Sequence, residues 1–511
     1  MRRVRSGDSL PENWRERPMT LLKSLDHWAI ETPNAPALDF EGTTTNFRNL
    51  RNQVRGIADI LRDEWAIFPG DRVCYMGLNH PHMIRLTLAC AELGAIFSPL
   101  NSRLVETEYA WLLDNAEPKV CFFDDDFRGM VETLVDDAAC DFVPLAALDG
   151  WESERSFTSE DQSDKPLLLV YTSGTTGHPK GVLLPQSAVW ATVENGQRLY
   201  NFDPGQNVLM TLPLFHVGGL CILLLPALMH GATIHLHRRF DPAKTIEALN
   251  QEGMTTSLLV PAQMSAIMAT KAWAEATFPT LKYVVVGSSI IPLQQIKNWH
   301  TRSIPVSQVY GATETGPSAI GLKLEDCFGR EGSAGVPVSL CEVDVRSADG
   351  APSDVNEPGE IWVRGPNVMS GYWRDEAETA KVLIDGWYNT GDIGRCDSDG
   401  FYWIVDRSKD VIISGGENIY PAEVEAVSLE HPAIAAIALV GKPDEKWGET
   451  PVAVIELKSG VALSEGEYLA FLQDRLARYK QPKAVVVKES MPRNSMGKIE
   501  KSILREEVAN S

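Results

Sequence analysis

Between Tyr171 and Val182 the chain reads Tyr-Thr-Ser-Gly-Thr-Thr-Gly-His-Pro-Lys-Gly-Val, directly after the apolar run Leu167 to Val170. Gly174 and Gly177 let the backbone turn its N–H groups toward an anion. Thr172, Ser173, Thr175 and Thr176 add hydroxyl donors, and Lys180 adds charge. Such a set suits a phosphate. It is not a Walker A loop, because Pro179 stands where that loop needs glycine and Gly181 follows Lys180 in place of Ser or Thr. Further glycine-containing turns carry charged groups: Tyr310-Gly-Ala-Thr-Glu-Thr-Gly316, Gly386-Trp-Tyr-Asn-Thr-Gly-Asp392, Asp406-Arg-Ser-Lys-Asp410 with Ser414-Gly-Gly-Glu-Asn-Ile-Tyr-Pro421, and Pro492-Arg-Asn-Ser-Met-Gly-Lys498. Read singly, each is a solvated turn.

The elements between these turns alternate in type. From 71 to about 137 an apolar strand, an amphipathic helix, a strand, a helix and a strand follow one another, and the rhythm resumes over 208–310. That is the pattern of βαβ units and a parallel sheet. Short strands with Gly/Pro turns lead up to Asp406, after which a compact group of helices and strands begins. One of its helices opens on Ser464 and Glu467 at capping-box spacing, with Leu469, Leu472 and Leu476 recurring on one face. The fold class expected is α/β: a large N-terminal domain of parallel-sheet βαβ layers with a β-rich subdomain, and a small α/β C-terminal domain. The boundaries expected are a flexible arm over 1–20, the large domain over 21–406 and the small domain over 407–511.

A chain of 511 residues exceeds what one core sustains, so at least two compact units are required. The formal charge of -22 argues against a nucleic-acid partner, which needs clustered positive surface. It leaves ATP open, since a few local cations and N–H groups suffice. Eight cysteines stand singly, without a CxxC pair, as thiols of a reducing compartment do. The arginine-bearing start lacks the apolar stretch of a secretory signal. The most apolar window, Leu220 to Met229, is too short to span a bilayer, so a cytoplasmic protein without an integral membrane segment is expected.

The five blocks, in this order, resemble the superfamily of adenylate-forming (AMP-binding) enzymes, which includes acyl-CoA synthetases, luciferases and peptide-synthetase adenylation domains. The resemblance covers nearly the whole chain beyond the first twenty residues. It implies that an acid is activated with ATP and Mg²⁺: the carboxylate attacks the α-phosphate, pyrophosphate leaves, and the acyl adenylate is passed to a thiol. Residue by residue it implies that Thr172, Ser173, Gly174, Thr175, Thr176, Gly177 and Lys180 form the phosphate loop. Glu314 resembles the Mg²⁺ ligand, with Thr172 sharing the metal, and Thr313 resembles the α-phosphate contact. Asp392 is similar to the carboxylate that accepts both ribose hydroxyls, a task for an acceptor-only group, and Arg407 resembles its partner on the nucleotide. Ser288, Tyr310, Gly311 and Ala312 look like the wall of the adenine and acyl site. Lys498 resembles the lysine that reaches between carboxylate and α-phosphate. Lys409 matches the hinge about which the relatives' small domain rotates, which makes the small domain a mobile lid.

For the acceptor, relatives present a Ser-Gly-Gly loop to pantetheine, matched by Gly415 and Gly416 after Ser414, and contact the nucleotide of coenzyme A where Trp447, Tyr479 and Lys483 stand here. His216 occupies the place where amino-acid-activating relatives carry Asp, and looks like the gate to the acyl pocket. Val217, Gly218, Gly287 and Thr315 are further candidate walls, none charged, so the acid expected is apolar, either aromatic or of medium to long chain. The absence of a carrier domain before Ser511 also counts against a peptide-synthetase role. The reading is an ATP-dependent carboxylic acid–CoA ligase using ATP, Mg²⁺ and coenzyme A, as monomer or homodimer. An amide synthetase with an amine acceptor and a non-catalytic nucleotide-binding relative are the alternatives. Lys498, Glu314 and Asp392 speak against the latter, since a pure binder has no use for the group that serves the chemical step.

Overall fold

The computed structural model describes residues 20–136, 138–157, 164–172, 179–251, 253–289, 291–414, 417–444, 447–473, 475–476, 478–494 and 497–510. These fall into two compact units. One gathers the described residues up to 288 with 295–343 and 363–389; the other gathers 289–294, 344–362 and those from 390 onward. The sequence divides the chain at 406, whereas the second unit starts earlier in the chain and is discontinuous.

The first unit is built on two large sheets. Seven strands run in the spatial order Gly371–Tyr372, Lys180–Pro185, Pro166–Thr172, Ile96–Leu100, Arg72–Met76, Val120–Phe123 and Asp141–Pro144. Their central pairs are parallel, with Val73 opposite both Phe97 and Val120. The edge nearest the phosphate-loop motif is antiparallel: Thr172 pairs with Lys180, and Tyr372 with Val182. A nine-stranded sheet holds a second parallel core, Val306–Tyr310, Tyr283–Val286, Thr256–Leu259, Asn207–Met210, Thr233–Leu236 and Pro36–Phe40 in spatial order, with antiparallel strands at both ends. The parallel expectation therefore holds for the centres of both sheets and for the Asp141–Pro144 edge of the first, and fails at the Gly371–Tyr372 edge and at both ends of the nine-stranded sheet.

The reason lies in side-chain type. Tyr283-Val-Val-Val286 is buried along its whole length, as a parallel strand covered on both faces must be. The helix Pro81–Leu93 begins with proline in its first turn and ends at Gly94, whose φ of 64° few other residues adopt, before the buried strand Ile96–Leu100. Each fully buried Leu, Val or Phe in such layers contributes about 1.5–3 kcal/mol.

In the second unit, strands Ile412–Ser414, Glu417–Ile419, Ile434–Asp444, Gly448–Leu457 and Ala484–Lys488 form one sheet. Its two faces carry separate cores. Tyr468 and Leu472 pack with Val424, Ile437 and Ile455, while Leu504 and Val508 of the helix Lys501–Ala509 pack with Val440 and Val454. The capping box forms: Ser464 N–H donates to Glu467 Oε2 at 2.9 Å and Glu467 N–H to Ser464 Oγ at 3.3 Å. The apolar window Leu220 to Met229 folds as a π-helical turn, Gly218–Leu224, running into the short helix Leu225–Met229. Among the described residues no helix is long and apolar enough to cross a membrane.

Candidate active site

In the first unit the phosphate-loop motif forms a hairpin whose stems are Pro166–Thr172 and Lys180–Pro185. Ser173, Gly174, Thr175, Thr176 and Gly177 lie outside the described residues. At the end of the stems the Thr172 hydroxyl donates to the Lys180 carbonyl at 3.4 Å. The Lys180 ammonium meets Glu378 Oε2 at 2.5 Å and lies 5.1 Å from the centre of the Tyr372 ring. Glu378 is also bonded by Lys381, and the Lys180 and Lys381 bonds hold its carboxyl down at about 2. It belongs to the helix Glu376–Val382, whose first turn is capped by Asp375 Oδ1 accepting Glu378 N–H at 3.0 Å.

Strand Val306–Tyr310 delivers the second group. The chain turns at Gly311, where a Cβ would stand 2.0 Å from the Pro317 carbonyl oxygen, and enters the 3-10 turn Thr313–Thr315. The fully buried Thr315 uses its hydroxyl to accept Ala312 N–H at 2.9 Å, closing that turn, while Asn367 Nδ2 donates to the Thr315 carbonyl at 2.6 Å. Glu314 is only 9% exposed, and Tyr372 O–H donates to its Oε1 at 2.9 Å. Burial, and then the Glu314 charge, hold the Tyr372 phenol well above its ordinary range, so it remains a donor. Thr313 and Tyr310 are half-buried beside this turn.

Among the described residues no three His, Cys, Asp or Glu side chains form a cage for a metal. A cation arriving on a triphosphate requires only one or two carboxylates besides phosphate and water. Glu314, nearly buried and with one oxygen fixed by a phenol, fits that requirement.

The candidate acyl wall lies in the same unit. His216 packs against Phe215 with ring centres 4.4 Å apart, and its buried Nε2 has no hydrogen-bond partner among the described residues. Burial, and then Arg103, lower its imidazole to about 4, so it is neutral at pH 7. Val217 is buried, and Gly218 is half-buried. Close packing explains two glycines nearby, since a Cβ would come within 2.3 Å of the Pro213 oxygen at Gly219 and within 2.9 Å of the Val309 oxygen at Gly287. Ser288 is exposed and adopts a φ of 76°. Two cavities of about 590 and 310 Å³ lie elsewhere in this unit, and no sequence-predicted site residue lines either.

The second unit holds its own cluster. Strands Trp387–Cys396 and Tyr402–Arg407 place Asp392 opposite Arg407, with Nε to Oδ1 at 3.4 Å. Asp406, one residue earlier, is buried and ties two elements: Oδ1 accepts Arg407 N–H at 2.8 Å and Oδ2 accepts Ala422 N–H at 2.7 Å, in the first turn of the helix Pro421–Ser428. Lys498 closes a turn in which Asn494 N–H donates to its carbonyl at 2.8 Å and its own N–H to Asn494 Oδ1 at 3.0 Å. Gly497 takes the φ of 77° this turn needs. Part of the Lys498 surface stays open to solvent, yet burial of its ammonium, followed by the positive charge of Arg407, lowers it to about 8 against the opposing pull of Asp392 and Asp410. Three residues on, Lys501 pairs with Glu425 at 2.8 Å and anchors the segment.

Lys409 is exposed over much of its surface while its ammonium is partly withdrawn from water, which lowers it first, followed by the charge of Arg407, and Arg505 bonds the neighbouring Asp410 at 2.9 Å. Gly415 and Gly416 lie outside the described residues. Trp447 is 46% and Tyr479 44% exposed, as groups that stack on a ligand need to be. Lys483 is exposed too, while its neighbour Lys480 is held by Glu423 at 2.6 Å.

Sequence reasoning missed Tyr372, Glu378, Asn367 and Asp406. Asp406 opens a motif and was visible there. The other three sit in Asn367-Val-Met-Ser-Gly-Tyr-Trp-Arg-Asp-Glu-Ala-Glu378, where no spacing separates them from an ordinary strand and helix start.

The family model described as AMP-binding enzyme matches residues 25–373, and the one described as AMP-binding enzyme C-terminal domain matches residues 423–498. An indoleacetate–CoA ligase of Aromatoleum aromaticum is 41% identical over 505 residues, covering 96% of this chain and 98% of the relative. A feruloyl-CoA synthase of an Amycolatopsis species is 36% identical, over 94% of this chain and 99% of the relative. Among solved structures, the o-succinylbenzoate CoA synthetase of Bacillus subtilis in complex with its acyl-adenylate intermediate superposes with a TM-score of 0.86 at 31% identity, covering 96% of this chain and 98% of that one.

Proposed function

Because this chain belongs to the AMP-binding enzyme family, we propose that the acid it activates is an aromatic or aryl-substituted carboxylic acid. The chain is an ATP-dependent acid–CoA ligase, forming an acyl adenylate and pyrophosphate and then an acyl-CoA and AMP. The observation that carries the choice of acid is the neutral His216 set among Phe215, Val217 and Gly218, with no carboxylate among the proposed wall residues to pair with a substrate ammonium. The relatives' acids, indoleacetate and ferulate by name, support it, since both carry an aromatic ring. The His216 Nε2, without a partner among the described residues, offers such an acid one polar contact in an otherwise apolar lining. Eight cysteines without a disulfide among them fit a cytoplasmic setting.

A carboxylate does not react with a thiol while oxide is the leaving group. In our reading Lys180 and the loop hydroxyls hold the phosphates, and Glu314 and Thr172 hold Mg²⁺. The bound cation supplies charge stabilisation as pyrophosphate departs. Asp392 accepts the ribose hydroxyls and Arg407 braces it. Lys498, protonated about ten to one at pH 7 with its ammonium at about 8, adds positive charge where the new acyl–phosphate bond forms. The thiol then attacks the acyl carbon and AMP leaves. Trp447, Tyr479 and Lys483 receive the nucleotide end of coenzyme A.

Pyrophosphate release measured over a panel of acids, with and without coenzyme A, tests this. Arylacetates and cinnamates should rank first and the thioester should appear only with coenzyme A. A preference for straight-chain acids, or release indifferent to aromatic acids, would reject the proposed substrate.

A further inference from the structure

We propose that Tyr372 is a positioning residue that holds the metal-side carboxylate and the phosphate-side cation in register; the proposal rests on the roles given above to Glu314 and Lys180. Residues 367–373 are fastened to both chemical segments at once. Toward the Glu314 turn, Asn367 Nδ2 donates to the carbonyls of Thr315 at 2.6 Å and Ser318 at 3.2 Å, and Met369 N–H donates to the Glu314 carbonyl at 2.8 Å. Toward the phosphate hairpin, Ser370 N–H donates to the Leu183 carbonyl at 3.0 Å and Trp373 N–H to the Gly181 carbonyl at 2.7 Å. Tyr372 sits between those two anchors.

Its side chain completes the bridge. The hydroxyl donates to Glu314 Oε1 at 2.9 Å while the ring lies 5.1 Å from the Lys180 ammonium. A metal–triphosphate complex presents its cation to a carboxylate and its oxygens to an ammonium, so the separation of those two groups sets how well the complex is held. Without the phenol, a nearly buried carboxylate loses a charge-assisted hydrogen bond that fixes its direction. Lys180 keeps its strand and its Glu378 partner either way. The effect therefore falls on the metal more than on the nucleotide.

Tyr372→Phe separates the two, because it keeps the ring beneath Lys180 and removes only the hydroxyl. Binding of Mn²⁺ to the full chain with a non-hydrolysable ATP analogue, followed by electron paramagnetic resonance, should weaken roughly tenfold in Tyr372→Phe. Binding of the same analogue in excess chelator should stay within a factor of two of wild type, with an unchanged melting temperature. Glu314→Gln is the companion variant. If it weakens Mn²⁺ binding and Tyr372→Phe does not, the positioning role is wrong while the Glu314 assignment stands. If Glu314→Gln also leaves Mn²⁺ binding intact, the metal role beneath the proposal is wrong. Equal weakening with and without metal in Tyr372→Phe reduces the phenol to packing and overturns the proposal.

Discussion

Lys180 and Glu378, 198 positions apart, meet at 2.5 Å beside the face of Tyr372. The cation at the end of the phosphate hairpin thus carries a carboxylate partner of its own. A triphosphate binding there has to compete with Glu378, and a solvent-screened pair of this kind is weak. Glu378→Gln should therefore tighten nucleotide binding by roughly two- to fivefold. Isothermal titration with a non-hydrolysable analogue checks this, and weaker binding would show that Glu378 serves to hold Lys180 ready.

Lys498 should serve one half-reaction only. Lys498→Ala is expected to slow pyrophosphate formation at least about a hundredfold while transfer from supplied acyl adenylate to coenzyme A stays within a few-fold. Its ammonium at about 8 gives the pH dependence. The charged form acts, so adenylation falls as pH rises through that value, and Lys498→Arg, charged to far higher pH, should lose that decline. A rate–pH profile of the first half-reaction that is flat from 7 to about 9 in wild type would contradict the role.

His216, lowered to about 4, stays neutral throughout the working range. The KM for the acid should accordingly be insensitive to this group between pH 6 and 8. His216→Asp places a negative charge against the incoming carboxylate and should raise that KM roughly ten- to a hundredfold, leaving the KM for ATP unchanged. Equal loss toward both substrates would mean the residue supports the fold and not the acid.

Gly311→Ala tests the geometry that brings Glu314 to the site. Its Cβ would stand 2.0 Å from the Pro317 oxygen, a backbone atom that cannot swing aside. A loss of about 2–3 kcal/mol is expected, read as a lower midpoint of the first transition in urea. A variant as stable as wild type would show that the turn relaxes freely.

The two buried parallel cores, the capping box at Ser464 and the positions of the five motifs were legible in the residues. Each rests on short-range chemistry: apolar periodicity, a hydroxyl three residues from an acid, glycine where the backbone must turn. The antiparallel edges of the sheets were not, because Thr172 and Lys180, or Tyr372 and Val182, are paired by where the chain returns and not by any local preference.

The same division runs through the site. Which groups could do chemistry was readable from the residues, since a carboxylate, an ammonium or a loop glycine is defined by its own atoms and nearest neighbours. What they face came from folding: Glu314 against the Tyr372 phenol, Lys180 against Glu378, Lys498 within the field of Arg407 and Asp392. Hydrogen bonds and ion pairs act over a few ångströms of space and are indifferent to separation along the chain, so residues 58 or 198 positions apart become partners only once the sheets have formed.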